Sequence, residues 1–320
     1  MAINKNSNVY TIIYTVVMVV IVASLLAFLA TSLKDEQDAN ILNDQKFSIM
    51  KAFGAATDES DKVETIENFD SNVTIGVLKA VVETQMVGNE EVAVVVDTPA
   101  TWLDSNAETF AEESADIFTT LGDRKKLAEL TDNLPIFKYE KAAEGENPAE
   151  TLYVLPMTGT GLWGDIWGYV AVKVNAENKL EISGIVMAHA GETPGLGAEI
   201  ATQKVQDKFA GKLLYEEVVD EATGEVSNVF AVEMVKGLTT AEAEATASKV
   251  DAITGGTKTC DGVNHMLANS IGKYEMFLNS LVASTSEDIS EEDALAEEAE
   301  NLENVEPETS ENVESIKVEE

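Results

Sequence analysis

Between Asp251 and Cys260 the chain reads Asp-Ala-Ile-Thr-Gly-Gly-Thr-Lys-Thr-Cys, three threonine hydroxyls set around an adjacent pair of glycines. Gly255 and Gly256 admit backbone angles that a Cβ forbids, so the chain can turn sharply here and come close to a ligand. Downstream, Val263, Met266, Leu267, Ser270, Tyr274, Phe277, Leu278 and Leu281 recur at three- and four-residue steps, one face of a helix. A hydroxyl-bearing turn that feeds a helix N-terminus offers free N–H groups and a positive dipole end to an anion, phosphate above all. Spacing alone describes an ordinary N-capped loop equally well. The turn is no Walker loop, since the Gly-Lys-Ser/Thr ending is absent, and no dinucleotide fingerprint, since the three-glycine spacing is missing.

The elements that must position this turn read as α+β. Tyr10 to Leu33 carries no charge and is long enough for a transmembrane helix, with Tyr10 and Tyr14 near one end as interfacial aromatics. The run is too long for a signal-peptide core, so residues 1–34 read as a retained single-pass anchor. Residues 35–150 read as an α/β lead-in. It holds an amphipathic helix from Asp38 that ends at Gly54, a buried strand at Val92–Val96, and helical patches between Phe110 and Leu130. Residues 151–283 read as a domain with an antiparallel sheet and packed helices. A strand Leu152–Leu155 ends at Pro156, and a glycine-rich loop spans Thr158–Gly164. A hairpin Ile166–Val174 and Leu180–Ala188 turns at Asn175–Lys179. A helix Ala198–Phe209, a strand Asn228–Val235 and a helix Ala241–Val250 complete it. Residues 284–320 are acidic and lack aromatics, the composition of a disordered tail.

Composition narrows the function classes. At 320 residues and 45% hydrophobic, the chain can hold one or two domains with a sizeable core. A net charge of −37 with no basic stripe argues against nucleic-acid binding. Cys260 is the only cysteine, which excludes an intrachain disulfide and a cysteine-built metal site. The two histidines, His189 and His265, have no convergent partners in sequence, so neither a metal site nor a catalytic pair is expected.

Asp251-x-x-Thr254-Gly255-x-Thr257 resembles the flavinylation motif of the FMN-binding domain family, in which the last threonine carries FMN through a phosphoester. The family usually has Ala where Gly256 stands here. Three further segments resemble the same family: Gly161-Leu-Trp-Gly-Asp-Ile-Trp-Gly-Tyr-Val170, His189-Ala-Gly-Glu-Thr-Pro-Gly-Leu-Gly-Ala-Glu-Ile200, and Phe209-Ala-Gly-Lys212. In this order they are similar to the C subunits of bacterial Na+-translocating NADH:quinone oxidoreductases. The resemblance implies covalent FMN on Thr257, in the bend made by Thr254, Gly255 and Gly256, with Thr259 as the fallback acceptor. It also implies that the glycine loops ending at Gly168 and Gly197 approach a flat ring. Leu162, Trp163 and Leu196 would cover the ring faces, and Glu192 or Thr193 would hydrogen-bond its edge. Lys212 would either balance the flavin phosphate or be an ordinary solvated lysine, while Trp167 and Cys260 would be packing residues.

By the same resemblance the chain would be an electron-carrying subunit without an NADH site of its own, a partner of the other subunits of an inner-membrane complex. A flavin transferase would mature it, and its soluble part would stand on the periplasmic side. The G subunits of Rnf ferredoxin:NAD+ oxidoreductases share the acceptor motif and the Glu-Thr-Pro-Gly-Leu-Gly run. The Gly-Leu-Trp-Gly segment and the long lead-in favour the Na+ pump. A reading from a different class, a membrane-anchored binding module without cofactor, makes the glycine loops mere turns.

Overall fold

The computed structural model describes residues 8–56, 59–87, 90–143, 148–219, 223–224 and 226–285, so the acidic segment expected to be disordered lies, from residue 286, outside the described residues. Helix α1 (Asn8–Ser32) buries none of its side chains and is long and apolar enough to cross a membrane. Helix α2 (Lys34–Ala52) follows after a single residue, and backbone bonds from Leu33 to Leu29 and from Gln37 to Leu33 carry the helical ladder across the junction. The helix expected from Asp38 therefore starts earlier. Its first turns stand clear of the domain and leave Ile41 exposed, whereas Phe47, Ile49, Met50 and Phe53 are buried as the periodicity predicts. Gly54 ends it with φ +74°, its N–H bonded to the Lys51 carbonyl and that of Ala55 to the Met50 carbonyl, a Schellman motif.

Two short helices, α3 (Lys62–Glu67) and α4 (Phe69–Asn72), lead into β1 (Val73–Leu78). The strands that follow are β2 (Val81–Val87), β3 (Glu90–Asp97) and β4 (Ala100–Trp102). After α5 (Phe110–Gly122) and α6 (Arg124–Glu129) come β5 (Leu134–Lys141), β6 (Glu150–Thr160), β7 (Asp165–Val174) and β8 (Leu180–His189). Six of these strands form one antiparallel sheet in the order β4-β1-β5-β6-β7-β8. The expected boundary after residue 150 therefore cuts β6 after its first residue, which is paired with Lys141 of β5.

Side-chain alternation splits this sheet between two cores. Leu152, Val154, Tyr169 and Ala171 face α2 and α5, while Leu155, Met157, Val170 and Val172 face the C-terminal helix. Burial on both faces explains why β6 and β7 read as nearly continuous apolar runs.

Several expected elements differ. The valine run in β3 does not enter the six-stranded sheet: among the described residues β3 pairs only with β2, and Val95 is exposed. Strand β6 does not stop at Pro156 but continues to Thr160, so only 161–164 form the loop. The ladder to β5 ends at Val154, and beyond it β6 pairs only with β7, an edge-like position that tolerates a residue without an N–H.

The helix expected over Ala198–Phe209 is three short turns, Gly197–Ala201, α7 (Gln203–Gln206) and Asp207–Phe209. Thr202 breaks it, extended at ψ 143°, its hydroxyl on the Glu199 carbonyl and its own carbonyl accepting from Val205 and Gln206. The strand expected over Asn228–Val235 divides at buried Ala231 and Val232. Its first part, β10 (Val226–Phe230), pairs with β9 (Tyr215–Val219). Its second, β11 (Glu233–Val235), pairs in parallel with β12 (Lys249–Asp251). Between them the Ala/Glu-rich run forms only one helical turn, α8 (Thr240–Glu244), started by a Thr239/Glu242 capping box. Helix propensity loses there because Val250 is required, fully buried, in a core strand. Finally α9 (Thr257–Gly272) lies along β6, and a further helical segment covers 275–285.

Candidate functional site

Strand β12 delivers the chain to the double-glycine turn at a fixed height. Asp251, its last residue, takes a salt bridge from Lys208 at 2.6 Å and a hydrogen bond from the Thr240 hydroxyl at 3.3 Å. Gly256 N–H closes the turn on the Ile253 carbonyl at 3.0 Å and caps α9, whose first regular bond runs from Cys260 N–H to the Gly256 carbonyl. Gly255 needs its glycine twice: its φ is +78°, and a Cβ there would stand 2.7 Å from Leu196 Cδ2. Thr254 is exposed on the turn, and half-buried Thr257 is the first residue of α9, where backbone N–H groups have no helical acceptor.

Glu192 joins this turn to the two glycine-containing loops. The residue as a whole is only 4% exposed. Oε1 accepts from Trp163 N–H at 2.8 Å and Oε2 from the Thr259 hydroxyl at 2.7 Å. Its own N–H donates to His189 Nδ1 at 3.2 Å, which gives that histidine a positioning contact. Around this junction three large apolar side chains point to solvent: Leu162 at 53%, Trp163 at 68% and Leu196 at 40% exposure. Gly197 is buried, its N–H nitrogen 3.5 Å from where a Cβ on Gly256 would lie.

The structure thus brings together Thr254, Gly255, Gly256, Thr257, Thr259, Leu162, Trp163, Glu192, Leu196 and Gly197. Thr193 is exposed, and its carbonyl accepts from Leu196 and Ala198, shaping the loop. Two expectations change. Glu192, one of the two residues expected at the edge of a flat ring, has both carboxylate oxygens engaged by the protein, one by the loop and one by the helix. Lys212 belongs elsewhere: it is buried, and its ammonium donates to the carbonyls of Ala243 and Thr246, both at 2.7 Å, at the end of α8. Burial lowers its pKa, opposed by the Glu244 charge.

Thr259, the expected fallback acceptor, is 1% exposed and hydrogen-bonded. Trp167 is half-buried on β7 beneath the Arg124 guanidinium, 3.4 Å from its ring centroid. Cys260 is buried as a packing residue, its sulfur accepting from Ile253 N–H at 3.4 Å, and burial pushes its thiol pKa up.

Sequence reasoning missed how α9 reaches the site. A Cβ on Gly159 would lie 2.8 Å from Met266 Cβ, and one on Gly262 would overlap the Thr160 carbonyl. The helix can approach β6 only because both positions lack side chains. Gly262 inside a helical pattern was the available signal, since glycine there costs stability unless packing demands it.

Residues 161–272 match the FMN-binding domain family. Among curated relatives, the C subunit of the Na(+)-translocating NADH-quinone reductase of Chlamydia trachomatis serovar D is 31% identical over 177 residues. That match covers 54% of this chain and 55% of the relative, so the chain spans about half the length of that protein. The Pseudomonas aeruginosa protein of the same name is 28% identical over 291 residues, covering 87% of this chain and 97% of its own. The crystal structure of Shewanella oneidensis NqrC superposes with a TM-score of 0.50 at 20% identity, over 77% of this chain and 99% of that one, which shows a shared fold. With this domain set behind an N-terminal apolar helix, the chain is similar to the C subunits of Na(+)-translocating NADH-quinone reductases, and its residues 161–272 to the FMN-binding domain family.

Proposed function

We propose that this chain is an electron-carrying subunit of a membrane-bound Na+-translocating NADH:quinone oxidoreductase, with FMN held as a phosphoester on Thr257. The observation that carries this reading is the pairing of two threonines on one helical turn: Thr257 stands at the open N-terminus of α9 while Thr259 is buried and bonded. The residues present fit such a group. Free N–H groups and the helix dipole at the start of α9 favour a phosphodiester charge by about 0.3–1 kcal/mol. Leu162, Trp163 and Leu196 supply exposed apolar surface beside it that a flat aromatic ring would cover.

When bound, FMN supplies the redox chemistry. The chain's part is to hold that group on a rigid helix, screen it from water with its apolar side chains, and keep it near the bilayer through α1. In this reading the soluble domain stands on the periplasmic side of the inner membrane. The other subunits of the complex donate and accept the electron, and a flavin transferase attaches the cofactor.

Coexpression with a flavin transferase followed by denaturing electrophoresis tests the reading. Flavin fluorescence that survives denaturation, is lost in Thr257→Ala and is reduced but not abolished in Thr259→Val supports it. Fluorescence that persists in Thr257→Ala, or a wild-type mass equal to that of the bare chain, overturns it.

A further inference from the structure

We infer that Glu192 is a positioning residue for the Thr257 site: one buried carboxylate locks the 161–164 loop to the first turn of α9 and thereby sets which threonine of that turn faces outward. The inference rests on the reading of Thr257 as the flavin-bearing residue and adds what holds it in place. Each carboxylate oxygen serves a different element, Oε1 the Trp163 backbone and Oε2 the Thr259 side chain. Residues two apart on an α-helix point about 200° from one another. Holding Thr259 inward therefore turns Thr257 the other way, and this bond adds to the packing of α9 on β6 in setting the rotation of the helix at its first turn. Through the other oxygen, the same group fixes the base of the exposed Leu162–Trp163 pair relative to that turn.

The surroundings are shaped to the carboxylate. A Cβ on Gly161 would come within 2.5 Å of Oε1, and one on Gly197 within 2.5 Å of Oε2. Two glycines from different loops thus leave room for one side chain that bridges them both. Glu192 N–H, donated to His189 Nδ1, fixes the backbone from which that side chain reaches.

The test uses the full-length chain, with and without a coexpressed flavin transferase, in the wild type and in Glu192→Ala, Glu192→Gln and Thr259→Val. In the chain made without transferase, amide hydrogen exchange is followed in the peptide containing Trp163. With transferase, peptide mass mapping gives the fraction of Thr257 carrying FMN at a fixed, limiting induction time. Glu192→Ala is expected to speed Trp163 exchange at least tenfold and lower the labelled fraction at least threefold, with exchange in β7 and β8 unchanged.

Glu192→Gln is expected to restore both, because its amide oxygen accepts from Trp163 N–H and its amide N–H donates to Thr259. Thr259→Val should keep Trp163 protected and lower the labelled fraction, since only the helix arm is cut. The inference is overturned if Glu192→Ala shows wild-type exchange and labelling, or if Glu192→Gln is as impaired as Glu192→Ala. Should Glu192→Ala fail to fold, a Glu192→Gln chain that loses Trp163 protection, or a Thr259→Val chain labelled as fully as the wild type, overturns the inference. A wild-type chain without FMN defeats the functional reading instead, and Trp163 exchange still reports whether the latch exists.

Discussion

At the scale of single residues, the site separates groups that face solvent from groups that hold the scaffold, and charge alone does not distinguish them. Lys212 follows a Phe-Ala-Gly run close to the site segments in sequence, yet its ammonium is spent on backbone carbonyls at the end of α8. Replacing Lys212 with Met should leave two carbonyls without a donor and cost about 1–3 kcal/mol, read as a lower melting temperature. The labelled fraction at Thr257 should not change, because Lys212 contacts neither the turn nor its loops. Trp163 is the converse case. Its backbone is locked while its ring is mostly exposed, so Trp163→Ala should shift stability by no more than about 0.5 kcal/mol in a denaturant titration.

Among elements, the contact between α9 and β6 decides where the double-glycine turn stands. Gly159 and Gly262 let the helix lie close to the strand, and Asn264 adds a two-point bond to Met234 of β11, Oδ1 accepting at 2.7 Å and Nδ2 donating at 3.0 Å. Gly262→Val should force the helix off the strand, cost about 1–3 kcal/mol and loosen the first turn with it. Gly272, the last residue of the same helix, has nothing within 4 Å of a Cβ. Gly272→Ala should therefore stabilise by about 0.5–1 kcal/mol. Thermal melts of the two variants should move in opposite directions.

For the whole molecule, titration and anchoring are the accessible tests. Tyr274, whose hydroxyl donates to the Pro135 carbonyl at 2.8 Å, and Tyr169 are both buried, and burial drives their pKa values up from 10.0. For Tyr169 the Arg124 charge opposes that rise. Tyr215 is raised to about 12, by burial first and by the Glu275 charge second. A folded-state pKa above the unfolded value means the folded chain keeps its proton longer. The stabilisation is complete below pH 10 and declines above it, by roughly 1.4 kcal/mol per pH unit for each tyrosine. Denaturant midpoints should hold up to about pH 8.5, begin to fall near pH 9 as the buried Cys260 thiol titrates in the unfolded chain, and fall steeply from pH 10 to 12. Helix α1 buries none of its side chains in the domain, so removal of residues 1–33 should yield a chain that folds without detergent, with the circular dichroism of its sheet intact. Loss of that signal would show that α1 supports the fold.

Much of this was legible from local pattern. The apolar run of α1, the β7–β8 hairpin with its Asn175 turn, the α9 face and the Asp-Thr-Gly-Thr motif are properties of neighbouring residues, and neighbouring residues are what spacing and propensity report. The one-turn length of α8, the passage of β6 through Pro156 and the isolation of the β2–β3 hairpin depend instead on strand partners far away in the chain. The same holds at the site. The sequence by itself determined that hydroxyls and glycines would bend into a helix N-terminus. Only the tertiary structure decided that Thr259 is buried while Thr257 stays half-exposed, because the carboxylate that binds Thr259 lies 67 residues away and meets the helix only when β6, β7 and β8 are paired.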